Sequence, residues 1–239
     1  MKAMIFAAGM GTRLKPLTDT MPKALVPVGG KPLLQHVIEK LKSAGFNEII
    51  INIHHFAEQI VDFVKCNNSF DIRIEFSDET DKLLDTGGAI KKASWFFDDN
   101  KPFLIHNVDI FSNIDLKYLY TSHIKNGADA SVLVSERDTF RYLLFDDANK
   151  LTGWINEKTG DTKSPLSNFT PAKYHKLAFS GIQVVNPSLF ELFSQFPDKF
   201  SIIDFYLTIC NNKNIYGYVP DNFEMIDVGK MDTLNSLQL

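Results

Sequence analysis

Apolar residues along this chain fall into short runs with two different periods. Residues 2–7 form a compact apolar run ended by glycine, the pattern of a buried strand. Pro32 stands where a first helical turn tolerates it. Leu33, Leu34, Val37, Ile38 and Leu41 then recur at helical spacing as far as Ala44-Gly45, a C-terminal stop. Residues 48–53 are apolar and β-branched, residues 56–64 are helical by period, and residues 72–76 predict a third strand. A helix over 89–97 and a strand over 103–105 follow. This alternation predicts a parallel sheet covered by helices on both faces. After about residue 136 the pattern loosens. Residues 140–155 predict short antiparallel strands with turn residues Asp146, Asp147, Asn149 and Gly153. The polar stretch 156–176, with Pro165 and Pro171, predicts a mobile loop or flap. A strand over 179–185, helices over 189–196 and 202–210, and a strand over 215–219 complete the pattern. The expectation is a single α/β domain with two halves, about 1–135 and about 136–239.

Composition narrows the class without changing this picture. The chain has 239 residues, 44% hydrophobic and 23% charged, which is ordinary for a globular domain with a substantial core. Its net charge of −4 argues against nucleic acid as a partner, since that needs a basic face. No apolar run approaches the ~18–20 residues of a membrane span, and the N-terminus lacks a signal-peptide pattern. The expectation is a cytoplasmic protein with no membrane partner. Cys66 and Cys210 form no ligand cluster and read as reduced thiols.

The strongest chemical signal is the first turn, Ala7-Ala8-Gly9-Met10-Gly11-Thr12-Arg13, followed by Pro22-Lys23. Backbone N–H groups with little side-chain bulk, plus two cations, suit a chain of phosphates. Spacing excludes two familiar loops. Leu14 stands where the dinucleotide fingerprint needs its third glycine, and Gly11-Thr12-Arg13 does not supply the Gly-Lys-Ser/Thr of a P-loop. What remains is a phosphate-embracing turn with Arg13 as a forked donor. Asp109 follows an apolar strand, placing a carboxylate where open α/β sheets bind ligands. Asp227 follows Met225-Ile226 and precedes a glycine turn. Each aspartate taken alone also suits a strand-end turn. The adjacent His54-His55 point to opposite faces of a strand and do not converge on a metal. Trp95 and Trp154 read as packing residues.

The run from Ala7 to Thr18, then Pro22-Lys23-Ala24-Leu25-Val26-Pro27-Val28, resembles the signature of the sugar-1-phosphate nucleotidyltransferases. Further matches are Asn52 to His55, Leu84-Asp85-Thr86-Gly87-Gly88-Ala89, Asn107-Val108-Asp109, Phe179-Ser180-Gly181-Ile182 and Asp227-Val228-Gly229. The resemblance implies the nucleotide-diphospho-sugar transferase fold. That fold is a Rossmann-like mixed, mainly parallel sheet flanked by helices, with a small sugar-binding lobe. The first half would bind nucleotide and the second half sugar.

By the same resemblance, the partners are a nucleoside triphosphate and a sugar 1-phosphate, and Mg²⁺ is the cofactor, held by Asp109 and Asp227. Arg13 and Lys23 are the expected catalytic cations. Ala7, Ala8, Gly9, Met10, Gly11, Thr12, Asn52, Thr86, Gly87 and Gly88 join them around the nucleotide. Gly87 and Gly88 would open a helix at Ala89 and let a base or ribose approach the backbone. Glu79 and Asp85 flank that segment. On the sugar side stand Asn107, Lys158, Ser180 and Gly181. Val108 departs from the family's glycine at that place, and its β-branch would crowd the nucleotide.

The motifs are most similar to the branch that activates N-acetylmuramate 1-phosphate with UTP, with short mannose-1-phosphate guanylyltransferases next. A phosphocholine-type cytidylyltransferase and a non-catalytic nucleotide-sugar sensor are the alternatives. The chain ends soon after Asp227, which predicts no appended hexapeptide-repeat domain.

Overall fold

The computed structural model of the chain describes residues 1–229, 231, 233 and 234. The last residues of the expected second half, 235–239, lie outside the described residues.

The first strand, β1 (Lys2–Phe6), is buried because it stands inside a sheet. The glycine turn leads into a small ladder of β2 (Pro27–Val28) and β3 (Lys31–Pro32). Next comes α1 (Leu33–Ser43), which buries Leu33, Leu34, Val37, Ile38 and Leu41, the five positions marked by its period. Then follow β4 (Glu48–Ile53), α2 (Ala57–Cys66), β5 (Arg73–Asp78), α3 (Asp85–Ala93) and β6 (Phe103–Asn107). Strands β6, β1, β4 and β5 lie in that order, all parallel. Their C-terminal ends therefore share one edge, where open α/β sheets bind ligands.

Residues 110–135, given no element by the sequence pattern, hold β7 (Ile110–Ser112), α4 (Leu116–Lys125) and β8 (Ala130–Ser135). Asp115 caps α4 by accepting from the Tyr118 N–H at 2.9 Å. The remaining strands and helix are β9 (Arg141–Phe145), β10 (Leu151–Asn156), β11 (Thr162–Lys163), β12 (His175–Val185), α5 (Ile202–Ile209), β13 (Ile215–Tyr218) and β14 (Met225–Asp227). Long β12 pairs antiparallel with β6, β8 and β9, so both halves share one ten-stranded sheet. Its register against β8 shifts between Phe179 and Gln183, and Gly181 sits inside the shift at φ +74. Alternation along the strands divides the core: Ala3 and Ile5 face one layer, Met4 the other.

Four expectations are corrected. The helix of 89–97 begins at Asp85 instead, so Gly87 and Gly88 lie inside α3. The stretch 156–176 is not a free flap: β11 pairs with β10, and Ser164 Oγ donates to the Thr152 carbonyl at 2.6 Å. Gly153 belongs to β10 rather than a turn. A Cβ there would stand 2.4 Å from the Phe169 ring, which the bare glycine lets pack down. Trp95 is 55% exposed and contributes little to the core. Among the described residues, no helix is long and apolar enough to cross a membrane.

Two histidines are locked inside. Burial pushes His106 and His123 each down to about 4, and the Nε2 of each has no hydrogen-bond partner among the described residues. An unfolded histidine titrates near 6.5. As pH falls from about 6.5 towards 4, the unfolded chain takes up protons that the folded chain refuses. Stability should therefore fall over that window by about 1–3 kcal/mol per histidine, and these groups should have no effect above it. Urea midpoints measured from pH 7.5 to 4.5 check this, with His123→Gln expected to fall less steeply.

Candidate active site

A cavity of about 360 Å³ opens along the C-terminal ends of β6, β1, β4 and β5. Phe6, Ala7, Ala8 and Gly9 line it from the end of β1, and Asn52 from β4. Glu79 and Leu83 line it from the connection after β5, Asp85 and Thr86 from the start of α3, and Asn107, Val108 and Asp109 from the end of β6. Lys23 and Lys199 complete the wall.

A buried polar network sets the shape of this cavity. The Asn52 carbonyl oxygen accepts from the N–H groups of Ala7 and Ala8 at 2.7 and 3.3 Å. Its amide donates to Glu79 Oε1 at 2.9 Å, and Glu79 Oε2 accepts from the Leu84 N–H at 3.0 Å. Asn52 and Glu79 are 4% and 1% exposed. Asn52 lines the cavity as expected, but its oxygen is fully occupied in holding the first turn. Its role is to tie the loop after β1 to the loop after β5.

Within the first turn, Gly11 is required on two counts. Its φ of +64 suits glycine, and a Cβ would stand 2.7 Å from Thr18 Cγ2. Thr18 Oγ1 in turn donates to the Gly11 carbonyl at 2.9 Å. Met10, Thr12 and Arg13 continue the turn beyond the cavity lining, with Arg13 exposed.

The charged groups converge at the β6 end. Lys23 and Asp109 form an ion pair, their side chains 11% and 15% exposed. β14 pairs with β7 so that Asp227 lies opposite Ile110, and the Val228 N–H donates to the Asp109 carbonyl at 2.9 Å. The two aspartates are thus brought to neighbouring backbone positions from opposite ends of the chain. Gly229, given no role by sequence reasoning, explains how Arg13 joins them. A Cβ there would stand 2.7 Å from Arg13 Nη2 and 2.7 Å from Asp227 Oδ1. The bare residue leaves room for the guanidinium and that carboxylate on the same side of the turn, and a side chain there would push their ends away. Two carboxylates with oxygen donors only form a set that suits a hard divalent cation whose remaining positions go to phosphate and water.

The other expected residues separate into two groups. Thr86 and Asn107 reach the cavity, and Gly181 backs directly onto Asn107, where a Cβ would stand 2.9 Å from Nδ2. Ser180 is buried in the sheet, its Oγ 3.1 Å from Ser135 Oγ, and does not line the cavity. Lys158 is not brought to the cavity either. It tops the turn between β10 and β11, with Nζ 5.9 Å from the Phe140 ring.

The expectation for Gly87 and Gly88 is corrected. A Cβ on Gly87 would strike the Phe200 ring at 2.3 Å, and one on Gly88 the Asp198 carbonyl oxygen at 2.0 Å. Their N–H groups both donate to the Phe200 carbonyl. The pair lets residues 198–200 press onto α3, and neither glycine lines the cavity. Val108 is 4% exposed and packs in the core cluster while also lining the cavity. Lys199 and Leu83 are cavity residues that sequence reasoning missed. The one available signal for Lys199 is its place beside the segment that the Gly87-Gly88 notch receives.

Residues 2–236 match the family model described as nucleotidyl transferase. A mannose-1-phosphate guanyltransferase of Aspergillus fumigatus is 28% identical over 233 residues, 96% of this chain and 61% of that protein. An N-acetylmuramate alpha-1-phosphate uridylyltransferase of Neisseria meningitidis is 33% identical over 191 residues, 80% of this chain and 78% of that protein. The chain thus spans about three fifths of the length of the fungal relative. Among solved structures, a putative glucose-1-phosphate thymidylyltransferase from Bacillus anthracis superposes with a TM-score of 0.82 at 19% identity. That match covers 100% of this chain and 94% of the other, and establishes the shared fold.

Proposed function

The chain belongs to the nucleotidyl transferase family, and from that premise we propose that it transfers a nucleoside monophosphate from a nucleoside triphosphate to a sugar 1-phosphate. The products are pyrophosphate and a nucleotide-diphospho-sugar. The observation that supports this most directly is the Lys23–Asp109 ion pair at one end of the cavity, with Asp227 and Arg13 beside it.

An oxygen of the sugar 1-phosphate attacks the α-phosphorus of the triphosphate. A new P–O bond forms as the bond from the α-phosphorus to the bridging β-oxygen breaks, and pyrophosphate leaves with that electron pair. The attacking oxygen is already ionised at neutral pH, so no side chain has to act as a base. The barrier is charge repulsion and alignment, which positioned cations and amides lower. Lys23 offsets charge at the reacting phosphates. Arg13 and the backbone of residues 9–12 stabilise the departing pyrophosphate. Asp109 and Asp227 would hold Mg²⁺, which when bound supplies charge neutralisation between the two phosphate groups. Asn107, which lines the cavity with Gly181 behind it, would contact the sugar 1-phosphate.

The 33% identical relative supports UTP with N-acetylmuramate 1-phosphate as substrates, and the fungal relative supports GTP with mannose 1-phosphate. Two free thiols, Cys66 and Cys210, agree with action in the cytoplasm.

Pyrophosphate release over a panel of triphosphates and sugar 1-phosphates, with CTP plus phosphocholine as a further arm, tests the reaction. Release with at least one sugar 1-phosphate is expected, and Arg13→Ala should lower kcat by about 10²-fold. Nucleotide binding without release from any pair would overturn the reaction and favour a sensor.

A further inference from the structure

The cavity has two chemically different ends. Asp109 and Lys23 lie past β6, on one side of β1. Leu83, Asp85 and Thr86 lie past β5, two strands away on the other side. If phosphates occupy the turn after β1, as the proposed function has it, the nucleoside extends towards β5. Besides Glu79, which is held in the Asn52 network, that end holds two charged side chains that the reaction does not use, Asp85 and Lys199.

Lys199 is exposed, and its ammonium has no hydrogen-bond or ion-pair partner among the described residues. Its backbone is nevertheless held firmly. The Phe200 N–H donates to the Leu84 carbonyl at 3.2 Å, and the Phe200 carbonyl accepts from Gly87 and Gly88 at 2.8 and 3.2 Å. The Ile202 N–H donates to Thr86 Oγ1 at 2.9 Å, and Asp198 sits in the notch left by Gly88. Asp85 starts the same helix at φ +61, its Oδ1 accepting from the Thr86 N–H at 2.6 Å, which leaves Oδ2 free. A donor-only ammonium and an acceptor-only carboxylate are therefore presented from one clamped unit, with Leu83 as an apolar residue in the same lining.

We propose that Lys199 and Asp85 are specificity-determining residues that select guanine, making GTP the nucleotide substrate. Among the four bases, guanine alone offers two acceptors together, O6 and N7, for a cation. It also offers two donors together, N1–H and N2–H₂, for a carboxylate. Uracil has one N–H and separated carbonyls. Adenine and cytosine place an amino donor where guanine has O6 or uracil has O4.

This inference rests on the proposed placement of the triphosphate, and direct binding separates the two. Calorimetric titration with GTP, ITP, UTP, CTP and ATP, in Mg²⁺ and without sugar, should give GTP an advantage of about tenfold or more over UTP. ITP, which lacks the 2-amino group, should fall between them. Lys199→Met and Asp85→Asn should each remove most of that advantage, while UTP affinity changes by less than about threefold. Lys199→Arg should retain the preference. Both side chains are exposed, and asparagine tolerates positive φ, so folding is not at stake. Equal binding of GTP and UTP by the wild type would overturn the inference. So would a uniform loss of all five nucleotides in Lys199→Met, which would make that lysine a phosphate contact. GTP preference without turnover would overturn the reaction and leave the base assignment standing. Turnover with UTP and not GTP would do the reverse.

Discussion

Replacing Asp109 by alanine is expected to lower kcat by at least about 10³-fold, the largest single effect in the molecule. Asp109 is the partner of Lys23 across a sequence separation of 86 residues, and its backbone carbonyl anchors Val228 beside Asp227. Truncation removes one of the two oxygen donors proposed for the metal and frees Lys23 from its working position. It also leaves an ammonium that is 11% exposed without its counter-charge, which costs stability as well as rate. The two losses separate experimentally. Asp109→Asn keeps the shape and one acceptor for Lys23, so most of the stability should return while most of the activity does not. Pyrophosphate release and thermal melting of the three proteins read the difference. Activity of Asp109→Ala within threefold of wild type would sink the assignment.

Asn52→Ala should have the largest effect on stability. It removes one side chain that satisfies two backbone N–H groups and one carboxylate oxygen, all buried. Each orphaned group costs about 1–3 kcal/mol, partly relieved by water entering from the adjoining cavity, so a loss of about 3–5 kcal/mol is expected. In a chain of this size that corresponds to a fall in melting temperature of about 10 °C. Asn52→Asp is the informative companion. It preserves the acceptor for Ala7 and Ala8 but sets a second carboxylate against Glu79, so the loops should be forced apart while the first turn stays tethered. An unchanged melting temperature for both variants would show that the network does not hold the two loops together.

Much of this protein was legible along the chain because the relevant physics is local. Burial with period 3.6 located the buried face of α1, and the apolar runs of β1 and β4 needed only their own composition. The first turn and its cations stood out because small residues and charge follow one another there within a short contiguous run. Other features were misread for a definite reason. Gly87 and Gly88 resemble a helix opening when seen alone, whereas their bareness answers to Phe200 and Asp198, more than a hundred positions away. Trp95 reads as a packing residue by type, yet it meets Phe96 edge-on and stays 55% exposed. Lys158 sits in a charged segment of the expected kind, but the β10–β11 turn holds it against Phe140.

The sequence by itself determined the fold class and marked out the small-residue turn proposed to hold phosphates, because each depends on neighbours within one element or on a contiguous motif. The two aspartates entered as a pair only through the family resemblance. Only the tertiary structure decided what those residues meet. The order β6-β1-β4-β5 brings Asp109, Gly9, Asn52 and Thr86 to one edge, and the pairing of β14 with β7 adds Asp227. Gly229 then makes room for Arg13, and the notch at Gly88 fixes the backbone that carries Lys199. These are contacts between distant segments, set by sheet order and by where a missing Cβ permits close approach. Neither leaves a periodic trace in the chain.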